Sequence, residues 1–168
     1  MYQIGQKVVY GIHGICRITD REERAVDRRR LTYLVLEPLE QEGARYLVPT
    51  HNPAAMARIS PLLSREALLE LVTAKGRTEF PWISDDNCRK QTYRELMGGG
   101  DRSRLVGMIR SLYRHKHHQM SIGRKVHLCD ENFLRDAENL LGSEIAEVLD
   151  LSSDEAKEFL REKLKEDA

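Results

Sequence analysis

Short apolar runs broken by turns fill the first fifty residues, and apolar positions at helical spacing fill most of the chain beyond Pro61. The runs cover residues 4–10, 15–18, 31–36 and 45–49, with Gly11-Ile12-His13-Gly14 turning between the first two. Short apolar runs bounded by turn residues read as strands. An all-β segment followed by an all-α segment predicts two packed units. The expectation is an α+β chain with a small barrel-like antiparallel sheet over residues 1–60 and a helical unit over 61–168. The helical unit should hold about five to six helices.

Capping residues divide that helical stretch. Ser64 stands as N-cap of a helix that carries Leu68, Leu69, Leu71 and Val72, runs to Lys75 and stops at Gly76. Asp85 or Asp86 opens a second, with Tyr93, Leu96 and Met97 on its apolar side and Arg89, Lys90 and Arg94 elsewhere around it; Gly98-Gly99-Gly100 ends it. Asp101 caps a longer third helix in which Leu105, Met108, Ile109 and Leu112 form one buried stripe. Arg110, Arg114, His117 and His118 share another face of it. Asp130 reads as the cap of a fourth, which carries Phe133, Ala137, Leu140 and Leu141 and stops at Gly142, with a short helix around Ile145, Val148 and Leu149 after it. Ser152-Ser153-Asp154-Glu155 fits a capping box for the last helix, whose apolar positions are Ala156, Phe159, Leu160 and Leu164.

Composition narrows the class. With 40% apolar and 32% charged residues the chain has the balance of a soluble globular protein. It carries neither an apolar stretch of about 20 residues nor the apolar core of a signal peptide. Three cysteines, Cys16, Cys88 and Cys129, are odd in number and far apart, which argues for a reducing compartment. A cytoplasmic location without membrane contact is therefore expected. Net charge is zero, but it is segregated: residues 87–127 hold 10 Lys and Arg against 2 Asp and Glu, while residues 128–168 hold 5 against 13. Four of the six histidines fall in the basic stretch. Such a stretch is the footprint of a surface that meets phosphate; the alternative is that basic helices pack against the acidic ones or merely offset them.

Just before the basic stretch lies the single tryptophan, in Glu79-Phe80-Pro81-Trp82-Ile83-Ser84-Asp85-Asp86. Pro81 and the Ser/Asp cluster put it at a loop-to-helix junction. An apolar ring beside cations suits a minor-groove wedge; it equally suits a seal on the helical core or on the contact between the units. His115, His117, His118, His127 and Cys129 are zinc-ligand types without the close paired spacing of a structural site, so no metal is expected. Gly98-Gly99-Gly100-Asp101 lacks the Gly-Lys-Ser/Thr of a phosphate loop. No nucleophile–base set or carboxylate pair stands out, so neither an enzyme nor a cofactor is expected.

Gly5-x-x-Val8-Val9-Tyr10 with Gly14, Tyr33-Leu34-Val35-Leu36, Val48-Pro49, Trp82, and Gly100-Asp101 leading into Leu112-Tyr113 together resemble the CarD/CdnL family of bacterial transcription regulators. The resemblance implies a Tudor/SH3-like N-terminal barrel, shared with transcription-repair coupling factors, that binds the RNA polymerase β subunit. It also implies a helical domain that touches promoter DNA at the upstream edge of the −10 bubble, and no catalytic activity. Trp82 matches the wedge against the fork, and Arg89, Lys90 and Arg94 the basic helix after it. Arg124 and Lys125 match further phosphate contacts, which add affinity without reading sequence. Arg24 matches a polymerase-facing arginine. Leu47 departs from an arginine that some relatives carry, and Arg45, two residues earlier on the same strand face, is the candidate substitute. The segment from Trp82 to Asp101 is longer than in the better-known members. By this resemblance the chain is expected to stabilise the open complex, and a nucleoid-associated monomer is expected; the other reading is a Tudor-like interaction module whose basic helices bind RNA or another partner.

Overall fold

A computed structural model describes residues 1–73 and 79–165. The chain divides into two compact units, residues 1–62 with 98–100, and residues 63–97 with 101 onward.

The first unit contains β1 (Lys7–Tyr10), β2 (Ile15–Val26), β3 (Arg29–Pro38), β4 (Tyr46–Pro49), the short helix α1 (Pro53–Met56) and β5 (Ile59–Pro61). They form one antiparallel sheet in the order β4-β3-β2-β1-β5. Alternate residues Val8, Cys16, Ile18, Leu34, Leu36 and Val48 meet Ile59 in a buried cluster, which fixes the register of every strand. Among the described residues the sheet is open, so the barrel expected from sequence is not closed. Its edges are the four-residue β4 and the three-residue β5. Pro49 and Pro61, which have no N–H to donate, limit further pairing there, and α1, capped by Asn52 accepting from the Ala54 and Ala55 amides, intervenes between them.

β2 and β3 extend well beyond the apolar runs that foretell them. Their outer halves form a ribbon around Asp27 and Arg28, whose φ angles of 48° and 65° are those a two-residue hairpin turn needs. Residues 23–30 of this ribbon are exposed.

The second unit contains α2 (Arg65–Thr73), α3 (Asp86–Gly98), α4 (Arg102–Ser121), α5 (Leu128–Leu149) and α6 (Ser153–Lys165). Four of the expected caps form. The Ser64 hydroxyl accepts from Ala67 N at 3.1 Å, Asp85 from Cys88 N at 2.7 Å and Asp101 from Arg104 N at 3.1 Å, while Ser152 and Glu155 close their capping box at 3.0 and 3.2 Å. The helix end expected at Lys75 and Gly76 lies outside the described residues.

α5 corrects the expectation of two helices with an Asp130 cap. It runs unbroken through Gly142, and Asp130 sits inside its first turn. Gly142 is present for close packing: a Cβ there would lie 3.3 Å from Lys157 Cγ on α6. The buried side of α5 also carries three carboxylates, each clamped by an arginine. Asp130 takes Arg89 of α3, Glu138 takes Arg161 of α6, and Glu144 takes Arg102 of α4 and the Leu63 amide. Part of the charge segregation is thereby absorbed inside the unit, since Arg89 and Arg102 come from the basic stretch and Asp130 and Glu144 from the acidic one.

Candidate functional site

Trp82 lies on the extended approach to α3. It is half-buried, packed against a core that contains Phe80, Tyr93, Met108 and Leu112. The His115 ring on α4 stacks on it with centroids 3.6 Å apart and planes within 8°. The Arg89 guanidinium lies 4.5 Å from the same ring's centroid, within cation–π range.

Arg89 is the organising group. Its Nε and Nη2 donate to the two Asp130 oxygens at 2.9 and 3.0 Å, its Nη1 to the Ile83 carbonyl at 3.0 Å, and its Nη2 also meets Asp86 at 2.9 Å. Residue 83 directly follows the tryptophan, so one planar fork fixes both the indole and the backbone that carries it. Burial works against the charged guanidinium, but its hydrogen bonds to Asp130 and Asp86 outweigh it and hold its pKa above the ordinary value. Burial chiefly keeps the His115 imidazole below its ordinary value; the nearby Asp130 opposes this and Arg89, His118 and His127 reinforce it. A neutral imidazole therefore stacks on the indole at neutral pH. Beside the ring lies an open hollow of about 460 Å³, walled by Phe80, Pro81, Ser111, Arg114, His115 and His118. Arg114 Nη2 reaches the Phe80 carbonyl at 3.4 Å.

The residues matched to DNA contact separate into two kinds. Arg89 is 2% exposed and faces the core with Tyr93 and Leu96. Lys90 and Arg94, four residues apart, share the outer side of α3, half-buried and exposed respectively. Arg124 and Lys125 are exposed in the turn that follows α4. His115 and Asp130 complete the mount of Trp82, although the sequence pattern alone marks them as a zinc-ligand type and a cap; Arg89 and Asp130 stand 41 positions apart, which leaves no local signal.

On the sheet, Val35 pairs with both Asp20 and Leu47, so period-two alternation puts Glu22, Arg24, Leu47 and Arg45 on Val35's side. Glu22 gathers the two arginines: Arg24 donates from Nη2 at 3.0 Å and Arg45 from Nη2 at 2.6 Å. Hydrogen bonds from Arg24 and then Arg45 hold the Glu22 carboxyl below its ordinary value. Leu47 is half-buried alongside. Among the described residues no group of three or more His, Cys, Asp or Glu is placed to hold a metal ion, and no helix is long and apolar enough to cross a membrane.

The sheet unit thus carries a paired arginine patch and the helical unit a mounted tryptophan. Residues 2–60 match the family described as the CarD-like/TRCF RID domain. The matched domain supports a transcription-related role that involves interaction with RNA polymerase. The match stops at residue 60, ahead of the helical unit. A search of curated proteins returned no match.

Proposed function

We propose that this chain is a non-catalytic regulator that binds the RNA polymerase β subunit through the Val35 side of its sheet and promoter DNA through the Trp82 side of its helical unit, stabilising the open complex. The mount of Trp82 carries the DNA half of this reading. An indole held by a buried guanidinium and a stacked imidazole is ordered before it meets a partner, so little side-chain entropy is lost on binding. Lys90, Arg94, Arg124 and Lys125 supply sequence-independent phosphate contacts. Because a ligand shifts an equilibrium only by its differential affinity, an indole that prefers the unstacked fork to closed duplex favours the melted promoter. Arg89 acts in this scheme as a positioning residue for Trp82, not as a phosphate contact.

A promoter-opening assay tests the DNA half. Trp82→Ala should shorten the open-complex lifetime several-fold while the protein remains folded by circular dichroism; an unchanged lifetime in the folded variant would refute the wedge. Capture of the β subunit tests the other half. Replacing Arg24 and Arg45 together by Glu should abolish it, and retained capture would move the polymerase site elsewhere. Tight, salt-sensitive RNA binding without polymerase, coupled to no change in promoter opening, would favour the interaction-module reading.

A further inference from the structure

A groove of about 500 Å³ opens between α4, α5 and α6, and none of the residues proposed above for polymerase or promoter contact lines it. Its floor is apolar and aromatic. Tyr113 is 4% and Leu134 7% exposed, and the flexible Met120 thioether stands at the rim, 67% exposed. Above this floor converge Lys116 and His117 from α4, Arg135 from α5, and Arg161 and Lys165 from α6.

That convergence is selective. Residues 128–168 contain only five Lys and Arg, and three of them, Arg135, Arg161 and Lys165, line this groove. The groove's own buried carboxylate is already engaged: Glu138 accepts the Tyr113 hydroxyl at 2.7 Å and two Arg161 donors at 3.1 and 2.8 Å. It acts as a brace that fixes Arg161 and the phenol ring, and Lys165 Nζ hangs 5.2 Å from that ring's centroid. Lys116 and Lys165 face the opening, Arg135 beside them shares the Asp136 carboxylate at 3.4 Å, and Glu131 is the remaining acid of the lining.

We propose that this groove binds a small phosphate-bearing ligand of the nucleotide class. Its size is within the range of ligand clefts, about 300–1,000 Å³. The cations match a phosphate group, and the exposed Met120 thioether, with the edges of Tyr113 and Leu134 beneath, gives an apolar contact for the ligand's body. The acidic surroundings select against a long polyanion: a duplex laid across the groove would run past the acidic outer faces of α5 and α6, whereas a compact anion inside sits within about 10 Å of the cations, the distance over which they are felt at ordinary salt.

The full chain is titrated by calorimetry with ADP and with inorganic pyrophosphate, and a DNA duplex is then added as competitor. ADP should bind saturably, pyrophosphate more weakly because it lacks an apolar body, and the duplex should leave bound ADP in place. The double variant Lys116→Gln, Lys165→Gln removes two exposed charge-assisted donors and should lower ADP affinity at least about tenfold. Arg65→Gln, exposed on α2 outside the groove, should leave it unchanged. No saturable ADP binding, the same affinity in the double variant, pyrophosphate binding as tightly as ADP, or displacement of ADP by the duplex would each overturn the assignment. These readouts involve neither polymerase nor promoter opening, so their failure is separable from failure of the transcriptional role.

Discussion

Two arginine clusters, one in each unit, are built from the same groups in opposite surroundings. In the helical unit Arg89 and Asp130 meet with side chains 3% and 1% exposed; on the sheet Arg24 and Arg45 share Glu22 with side chains 51%, 51% and 26% exposed. The geometry of individual bonds is similar, near 3 Å in both. The consequences diverge because solvent decides them. A buried guanidinium cannot be withdrawn from its carboxylate without leaving a bare charge, so it becomes a fixture of the fold. A solvated one exchanges partners at little cost, which keeps it available to another protein.

The largest effect should come from breaking the buried pair. Arg89→Ala strands Asp130 in the core and should cost about 3–5 kcal/mol, read as a lower urea midpoint. The double variant Arg89→Met, Asp130→Leu should recover most of that loss, since the uncompensated charge is gone, yet Trp82 would still lack its guanidinium and the open-complex lifetime should remain short. A single-variant cost below about 1 kcal/mol would place Arg89 with the surface arginines and erase the contrast between the clusters.

A smaller effect belongs to the other face of the mount. Burial lowers the folded-state pKa of His115 below its ordinary 6.5, so the unfolded chain takes up the proton first. Stability contributed by this site is therefore complete above pH 6.5 and is lost as pH falls from there toward the lower folded value. Glu22 and Asp86 are depressed carboxyls, ordinarily 4.5 and 3.8, whose contributions are complete above those values and lost only in more acid solution. The window from about pH 7.5 to 5.5 thus isolates the histidines. Melting temperature should fall across it, and His115→Gln should flatten the fall only in part, because His13, in the turn between β1 and β2, is lowered as well, by burial and then by Arg58. A slope unaltered by His115→Gln would remove the imidazole from the account of the mount.

Legibility from sequence divides along the same line between local and distant chemistry. The caps at Ser64, Asp85, Asp101 and Ser152 were legible because capping joins residues three positions apart. The inner halves of β2 and β3 were legible because one face is dry. Their outer halves were not: both faces of the ribbon are wet, so Asp20 to Val26 show no alternation, and the Asp27-Arg28 turn lacks the Asn-Gly that announces this geometry. Gly142 read as a stop because its reason for being small is a neighbour on another helix. At the candidate site the position of Trp82 was apparent, whereas its mount, made by His115 on α4 and by Arg89 with Asp130, is purely tertiary. The likeness of Arg89 to Lys90 in sequence concealed that one points inward and the other does not.

The smallest effect on stability should come from the exposed cluster, and there it is most diagnostic. Arg24→Ala and Arg45→Ala each leave Glu22 its other arginine and its water, so the denaturation midpoint of either variant should match that of the unmodified chain within error. Both should nonetheless weaken capture of the polymerase β subunit, more so at low than at high salt, because a contact between solvated charges is screened within about a Debye length, roughly 10 Å at 0.1 M. An arginine that can be deleted without cost to the fold yet with cost to the complex is held ready for a partner. If deleting Arg24 or Arg45 instead lowered the midpoint and left capture intact, the roles assigned to the two clusters would be exchanged.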